Sequence, residues 1–172
     1  MSELKLGIIG GGQLGSMLSS AAKKLNIKSV VYSDDKDAPA QKFCDEFIFG
    51  DYNNKEKILE LVNKVDVITY EFENIPFETL NEINKLKPVL PKPSVNRLIQ
   101  HRLAEKDFVN KLNIRTTRYV SVEKKSDIER LEDFLPGILK TTTMGYDGKG
   151  QHPLKRIEDV ETLNIDFSKG YI

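Results

Sequence analysis

Three glycines and two lysines stand close together in the second half of the sequence, at Lys140, Gly145, Gly148, Lys149 and Gly150. Glycine removes steric limits on the backbone, so a segment of this kind can fold over a ligand. Its N–H groups and lysines could then hold a chain of phosphates, as a glycine-rich loop does in protein kinases. The spacing of a Walker loop is absent. A plain hairpin turn at residues 147–148 competes with this interpretation, but it would need only one glycine and is ranked second.

A second glycine-rich turn lies near the N-terminus, where Gly10, Gly12 and Gly15 follow an apolar run and precede a helical pattern. In this context the spacing is that of a dinucleotide fingerprint, and Asp34 stands where a dehydrogenase places its ribose-binding acid. The glycines could equally serve close packing of helix on strand. They could also contact a phosphosugar or another ligand without any nicotinamide. The motif alone does not separate these three interpretations.

These residues need a scaffold, and the first half of the sequence predicts one. Short apolar runs alternate with helical patterns, which is typical of parallel strands joined by right-handed crossovers. The predicted strands cover residues 4–9, 29–33, 47–49 and 65–70. The chain is therefore assigned to the α/β class, with a Rossmann-like parallel sheet of four or five strands.

Three prolines within residues 88–94 mark a domain connection, because proline can neither continue a helix nor sit in a central strand. We therefore predict one domain over residues 1–93 and a second over residues 94–172. The elements predicted in the second domain are a helix capped by Ser94, a helix at 102–112, a strand at 117–122, a helix capped by Ser126, a strand at 137–140, a weak helix at 157–163 and a strand beginning at Tyr171.

This second half argues against the dinucleotide interpretation, because a dehydrogenase would continue its sheet with further strand–helix units. A domain that begins near residue 94 normally needs more chain than the 172 residues provide in order to close its core. The sequence is therefore expected to be part of a longer protein.

Charge and cysteine content exclude several classes of protein. The 26 basic and 26 acidic residues cancel, so no global field favours nucleic acid or an anionic membrane. No apolar run approaches the length of a membrane span. Because Cys44 is the single cysteine, no disulfide can form within the chain, and a cytoplasmic location is the simplest prediction. Cys44 itself is predicted to be a half-buried structural thiol.

Five motifs occur in an order that resembles one enzyme family. They are Gly10–Gly15 (GGGQLG), Tyr70–Asn74 (YEFEN), Arg102-Leu103 before a helix, Lys140, and Gly145–Gln151 (GYDGKGQ). Over essentially its whole length the sequence is similar to the N5-carboxyaminoimidazole ribonucleotide synthetases of the ATP-grasp superfamily. The resemblance implies a Rossmann-like pre-ATP-grasp domain followed by the first part of an ATP-grasp domain, and it suggests a homodimer.

The same resemblance implies a reaction. An ATP-dependent ligase of this family carboxylates 5-aminoimidazole ribonucleotide with bicarbonate in purine biosynthesis. Carboxyphosphate, the intermediate, is short-lived in water, so a closing lid must exclude solvent. An NAD-binding Rossmann oxidoreductase or sensor module is the alternative function. Residues 1–172 alone are expected to be inactive.

The family's binding residues transfer to this sequence by matching position. Those implied for ATP are Arg102, Lys140, Gly145, Tyr146, Asp147, Gly148, Lys149, Gly150 and Gln151. Those implied for the ribonucleotide substrate are Gln13, Leu14 and Glu73. Glu71 and Glu73 alternate along a predicted extended segment, so both carboxylates should face one side, at the crevice of an open α/β sheet. A solvated loop is the competing interpretation of this pair, more strongly for Glu71.

Mg²⁺ is implied as the companion of ATP, with its ligands expected beyond residue 172. No metal ligand is assigned within the sequence. Asp34 and Asp35 are adjacent carboxylates at one strand end, which do not make a magnesium site. His101 and His152 lack partners at ligand spacing.

Overall fold

The computed structural model describes residues 4–145 and 148–172. The chain forms two compact units, Met1–Arg97 and Leu98–Ile172. The domain connection predicted at residues 93 and 94 lies at the start of a helix, Pro93–Ile99, within which the two units divide.

A four-stranded parallel sheet organises the first unit. Its strands are β1 (Lys5–Ile9), β2 (Lys28–Ser33), β3 (Glu46–Phe49) and β4 (Val67–Tyr70), in the order β3-β2-β1-β4. All neighbouring pairs are parallel, which confirms the α/β prediction. After β3 the chain crosses to the other side of β1 to form β4. In open α/β sheets, ligands bind beyond the carboxyl ends of the strands at such a reversal, which here lies between β1 and β4.

Helices link these strands and cover the sheet. They are α1 (Gln13–Lys24), α2 (Lys55–Lys64) and α3 (Phe77–Leu86), followed by α4 (Pro93–Ile99) and a short 3₁₀ turn at Pro39–Lys42. Asn54 caps α2, since its side chain accepts a hydrogen bond from the N–H of Lys57. The core beneath them includes the fully buried side chains of Leu61, Ile68, Leu80 and Ile83.

The second unit is built on antiparallel pairing. Strand β5 (Gly137–Lys140) pairs with β6 (Gln151–Leu154), and Tyr171 pairs with both Thr141 and Val122. Helices α5 (Arg102–Lys111) and α6 (Lys125–Ile128) complete it, together with 3₁₀ turns at Glu132–Phe134, Ile157–Thr162 and Phe167–Lys169. Its core consists of Val122, Ile128, Leu139, Leu154, Val160 and Tyr171.

Several elements of the second half differ from the prediction. The strand at 117–122 reduces to a bridge at Val122, and the helix at 157–163 is a 3₁₀ turn, Ile157–Thr162. Neither predicted serine cap holds, because Ser94 and Ser126 both lie inside their helices. Pro93 takes the first position of α4, a position that does not require its missing N–H.

The start of α6 has a different cause from the one predicted. The carboxylate of Asp127 accepts hydrogen bonds from the N–H groups of Glu123 and Lys124, at 3.0 and 3.1 Å. The helix therefore begins ahead of Ser126. Asp159 makes the same arrangement with Lys155 and Arg156 at the 3₁₀ turn Ile157–Thr162. These two hydrogen-bond pairs lower the pKa of each aspartate below its usual value.

No helix among the described residues is long and apolar enough to cross a membrane.

The packing of α3 generates a stability prediction. Leu80 is fully buried, whereas Leu86 at the end of the same helix is 57% exposed. Leu80→Ala should lower the free energy of unfolding by about 3 kcal/mol, since it removes buried methyl groups and leaves a cavity. Leu86→Ala should change it by about 0.5 kcal/mol or less. Urea denaturation of both variants checks this, and equal losses would contradict the described core.

Candidate functional site

The first glycine-rich turn joins β1 to α1 and is shaped by close backbone approach. Gly10 has φ of 108°, a conformation that side chains disfavour. A Cβ added to Gly15 would lie 2.5 Å from the carbonyl oxygen of Gly10, so only glycine fits there. The N–H of Gly10 donates to the carbonyl of Tyr32 at 2.9 Å, which ties the turn to β2.

A carboxylate that follows β4 holds this turn. Oε1 of Glu71 accepts a hydrogen bond from the N–H of Gly12 at 2.9 Å, and Glu71 N–H donates to the carbonyl of Ile9 at 3.0 Å. The carboxylate therefore lies at the N-terminus of α1, where the helix dipole favours negative charge. The solvated-loop interpretation, which ranks second in the sequence analysis, therefore does not hold for Glu71.

Glu71 and Glu73 do not behave as a matched pair. Strand β4 ends at Tyr70, so the alternation expected along an extended segment does not apply to the two residues that follow. Glu71 is half-buried against the glycine turn, while Glu73 is exposed. The contact of Glu71 with the glycine turn could have been predicted from its sequence position, because Glu71 directly follows β4, the strand beside β1.

The other predicted substrate residues belong to the first turn of α1. Gln13 and Leu14 are both exposed, Leu14 to 55%. They follow the carboxyl end of β1, while Glu73 follows the carboxyl end of β4. The topology thus brings all three to the same edge of the sheet.

Two buried tyrosines belong to the core near this edge. Burial raises the pKa of Tyr32 to about 12, and the nearby charges of Asp51 and Asp34 act in the same direction. Burial also raises the pKa of Tyr52, again with a contribution from Asp34. Both hydroxyls stay protonated at neutral pH, and that of Tyr32 donates a hydrogen bond to the carbonyl of Asp51.

Cys44 is half-buried, as expected, and burial raises the pKa of its thiol. The residue has the character of a structural thiol rather than of an activated nucleophile.

In the second unit, two predicted cations share a cavity. Lys140, at the end of β5, and Arg102, at the start of α5, both line a cavity of about 640 Å³. Buried apolar side chains, among them Val122, Leu139 and Leu154, form part of its wall. A volume of this size is typical of pockets that hold a small-molecule ligand.

The second glycine-rich segment connects β5 to β6. Lys140 pairs with Gln151, and the N–H of Thr141 donates to the carbonyl of Gly150 at 2.9 Å. The hairpin turn considered as an alternative falls on residues 147–148, of which Asp147 lies outside the described residues. Tyr146 and Asp147, both predicted to bind ATP, lie outside the described residues.

Arg102 contacts this loop directly, which sequence reasoning missed. Its Nη1 donates to the carbonyl of Thr141 at 2.8 Å, and its Nη2 donates to the carbonyl of Gly145. Its backbone N–H donates to the carbonyl of Thr142 at 2.8 Å. The guanidinium therefore joins the start of α5 to the start of the glycine-rich loop.

Residues 4–145 and 148–172 contain no group of three or more His, Cys, Asp or Glu residues able to hold a metal ion.

The contact between Glu71 and Gly12 generates a second prediction. Glu71→Ala should lower the free energy of unfolding by about 1 to 2 kcal/mol, because it leaves the N–H of Gly12 without its charged acceptor. Glu71→Gln is the matched control, since it keeps an oxygen acceptor and loses only the charge. Its loss should be about half as large. Urea denaturation of the two variants measures both, and an unchanged stability of the alanine variant would contradict the assigned contact.

Comparison with known proteins extends these observations. A model of the ribonucleotide synthetase preATP-grasp domain matches residues 3–100, and a model of the ATP-grasp domain matches residues 107–170. The chain is 39% identical over 158 residues to the bifunctional purine synthesis protein purC/E of Dictyostelium discoideum, covering 91% of this chain and 16% of that protein. It is 37% identical over 160 residues to the N5-carboxyaminoimidazole ribonucleotide synthase of Pseudomonas aeruginosa. This match covers 92% of this chain and 44% of that protein.

Comparison with a solved structure points to the same enzymes. The fold matches N5-carboxyaminoimidazole synthetase from Staphylococcus aureus, complexed with ADP, with a TM-score of 0.85 and 35% identity, over 92% of this chain and 43% of that one. The chain therefore spans less than half the length of these relatives. The sequence resemblance and the fold class are confirmed: this chain belongs to the family of ribonucleotide synthetases whose pre-ATP-grasp domain is followed by an ATP-grasp domain.

Proposed function

We propose that this chain is the front part of an ATP-dependent carbon–nitrogen ligase that carboxylates 5-aminoimidazole ribonucleotide with bicarbonate. The observation that carries the proposal is the position of Lys140 and Arg102, which line one cavity at the foot of a glycine-rich loop. The relatives named N5-carboxyaminoimidazole ribonucleotide synthase supply the specific reaction.

The proposed reaction requires positive charge at the site of phosphoryl transfer. A bicarbonate oxygen attacks the γ-phosphorus of ATP, the bond to the β-phosphate oxygen breaks, and ADP leaves. The exocyclic amine of the ribonucleotide then attacks the carboxyl carbon of carboxyphosphate, loses a proton and releases phosphate. Negative charge gathers on the transferring phosphoryl group, so fixed cations must face it.

Lys140 meets that demand as a point charge at a strand end. It is half-buried, and no described residue forms an ion pair with its ammonium group. Arg102 offers a planar fork that suits phosphate oxygens. We assign Gly145 and the segment Gly148–Gln151 to the cover over the phosphates, together with the neighbouring Tyr146 and Asp147.

The ribonucleotide is assigned to the first unit. Gln13 and Glu73 are exposed at the carboxyl edge of the sheet, where an amide and a carboxylate can exchange hydrogen bonds with ribose hydroxyls or the substrate amine. Leu14 offers an apolar contact beside them. Glu71 would support this site indirectly, because its carboxylate fixes the turn from which Gln13 and Leu14 extend.

The NAD-dependent alternative fits the same turn less well. Asp34 does follow β2 and is exposed, as a ribose-binding acid would be. The N–H of Gly12, however, already donates to the carboxylate of Glu71. A dinucleotide pyrophosphate would have to approach that negative charge, which opposes its binding.

The remaining expectations of the sequence analysis belong to the same proposal. Mg²⁺ would accompany ATP, with ligands from outside the described residues. The protein would be a cytoplasmic homodimer, and residues 1–172 alone would not turn over ATP. The substrate-binding and ATP-binding parts would correspond to residues 1–93 and 94–172.

Lys140→Ala tests the proposed phosphate site. The protein expressed at the full length of its gene should lose about 100-fold in kcat/KM for ADP release in the presence of aminoimidazole ribonucleotide, since one fixed cation is gone. Lys155→Ala is the matched control, because Lys155 is an exposed lysine of the same unit, and it should leave turnover unchanged. Unchanged turnover in Lys140→Ala would reject the assigned role.

Titration with NADH separates the two functions. No saturable change in NADH fluorescence is expected from the full-length protein, because Glu71 opposes the pyrophosphate. Tight saturable binding, weakened by Asp34→Ala, would support the oxidoreductase alternative.

A further inference from the structure

The guanidinium of Arg102 is already engaged by the glycine-rich loop. Two of its nitrogens donate to two different carbonyls, Nη1 to that of Thr141 at 2.8 Å and Nη2 to that of Gly145. The backbone N–H of the same residue holds the carbonyl of Thr142. A planar fork with several donors in fixed directions can span two acceptors in this way, whereas an ammonium group acts as a single point.

The glycines of the loop divide by what surrounds them. A Cβ added to Gly145 would lie 2.7 Å from Nη1 of Arg102 and 2.9 Å from Oγ1 of Thr141. A Cβ added to Gly150 would lie 2.5 Å from the same Oγ1. For Gly148, no atom of the described residues lies within 4 Å of such a Cβ, and its φ of 80° favours glycine. Gly145 therefore permits close packing, Gly148 permits a left-handed backbone conformation, and Gly150, with φ of 66°, permits both.

Thr141 lies at the centre of this packing. Its hydroxyl is buried, and no described residue hydrogen-bonds to it. Its N–H pairs with the carbonyl of Gly150, and its carbonyl accepts from Arg102. The two ends of the loop thus meet around Thr141, with the guanidinium closing one side.

We propose that Arg102 is a positioning residue for the loop: its fork holds the Thr141 and Gly145 carbonyls and so fixes where the loop starts. This inference rests on the proposed function in one respect, the identity of the ligand. A phosphate oxygen would compete with these carbonyls for the same N–H groups, because hydrogen bonds between two ionised groups are the stronger kind. When a triphosphate binds to Arg102, the guanidinium would therefore release the Thr141 and Gly145 carbonyls. Phosphate binding and the position of the loop start are thus coupled through this side chain.

Hydrogen exchange without nucleotide tests the positioning role directly. In the full-length protein, Arg102→Ala should make the amides of Thr141 and Thr142 exchange about ten-fold faster, since their pairing with Gly150 and Gly170 loses its support. The amides of Val122 and Tyr171, which pair in the same unit, should be unchanged and report that the unit is folded. Arg130→Ala, at an exposed arginine, is the matched control.

Arg102→Lys separates positioning from charge. Lysine keeps the positive charge, but its three donors share one nitrogen and do not reproduce the spacing of Nη1 and Nη2 of the guanidinium. The Thr141 and Thr142 amides of Arg102→Lys should therefore exchange about as fast as in Arg102→Ala. In turnover, both variants should lose about ten-fold in kcat, while the KM for ATP should rise only in the alanine variant. Full recovery of loop protection by lysine would overturn the proposal.

Two glycine variants test the positioning role of Arg102 without changing the arginine itself. Gly145→Ala should displace the guanidinium, so it should speed exchange at Thr141 and Thr142 to the same extent as Arg102→Ala and add nothing to it in the double variant. Gly148→Ala strains the backbone without touching Arg102, so its effect should add to that of Arg102→Ala.

The outcomes separate the two proposals. Unchanged exchange at Thr141 and Thr142 in both Arg102→Ala and Gly145→Ala would overturn the positioning role. Faster exchange in these variants, with no ATP binding by the parent protein, would instead reject the ligase function and leave the positioning role standing.

Discussion

Both glycine-rich turns depend on the same constraint, which is that backbone polar groups drawn away from water must be paired. Glycine removes the Cβ and lets a distant charged side chain reach the backbone closely. In the first unit the backbone group is an N–H at a helix N-terminus, and its partner is the carboxylate of Glu71. In the second unit the backbone groups are carbonyls, and their partner is the guanidinium of Arg102. The sign of each charge follows from the polarity of the backbone that it meets.

This constraint explains how the parallel sheet serves the first site. Strand β4 lies beside β1 because the chain crosses over after β3, and only that arrangement puts Glu71 next to the turn that follows β1. The partners are 59 positions apart in the sequence. A β4 placed at the far edge of the sheet would leave the N–H of Gly12 to water or to a ligand anion. The topology therefore decides whether this turn is open to a pyrophosphate.

Local sequence patterns predicted the helices and strands of the first unit. They did not predict the contacts that single side chains make with distant backbone groups. Apolar runs located all four parallel strands and placed Lys140 at the end of β5. The same reasoning failed at α6, where Asp127 moves the helix start ahead of Ser126. It also missed the role of Arg102, because the carbonyl partners of this residue are 39 and 43 positions away. The sequence analysis explains Gly145 by a segment that can fold over a ligand. In the structure Gly145 also permits close packing, because a Cβ there would lie 2.7 Å from Nη1 of Arg102.

In the proposed phosphate site, an arginine that is already engaged has a physical advantage. A guanidinium left free would sample many rotamers and would lose that freedom when a ligand arrived. Held by two carbonyls, it is already ordered, so exchanging a carbonyl for a phosphate oxygen requires little further ordering. Lys140 differs in this respect, since no described residue forms an ion pair with it. In the proposed site the two cations therefore have different roles, since Lys140 supplies charge and Arg102 couples charge to the position of the backbone.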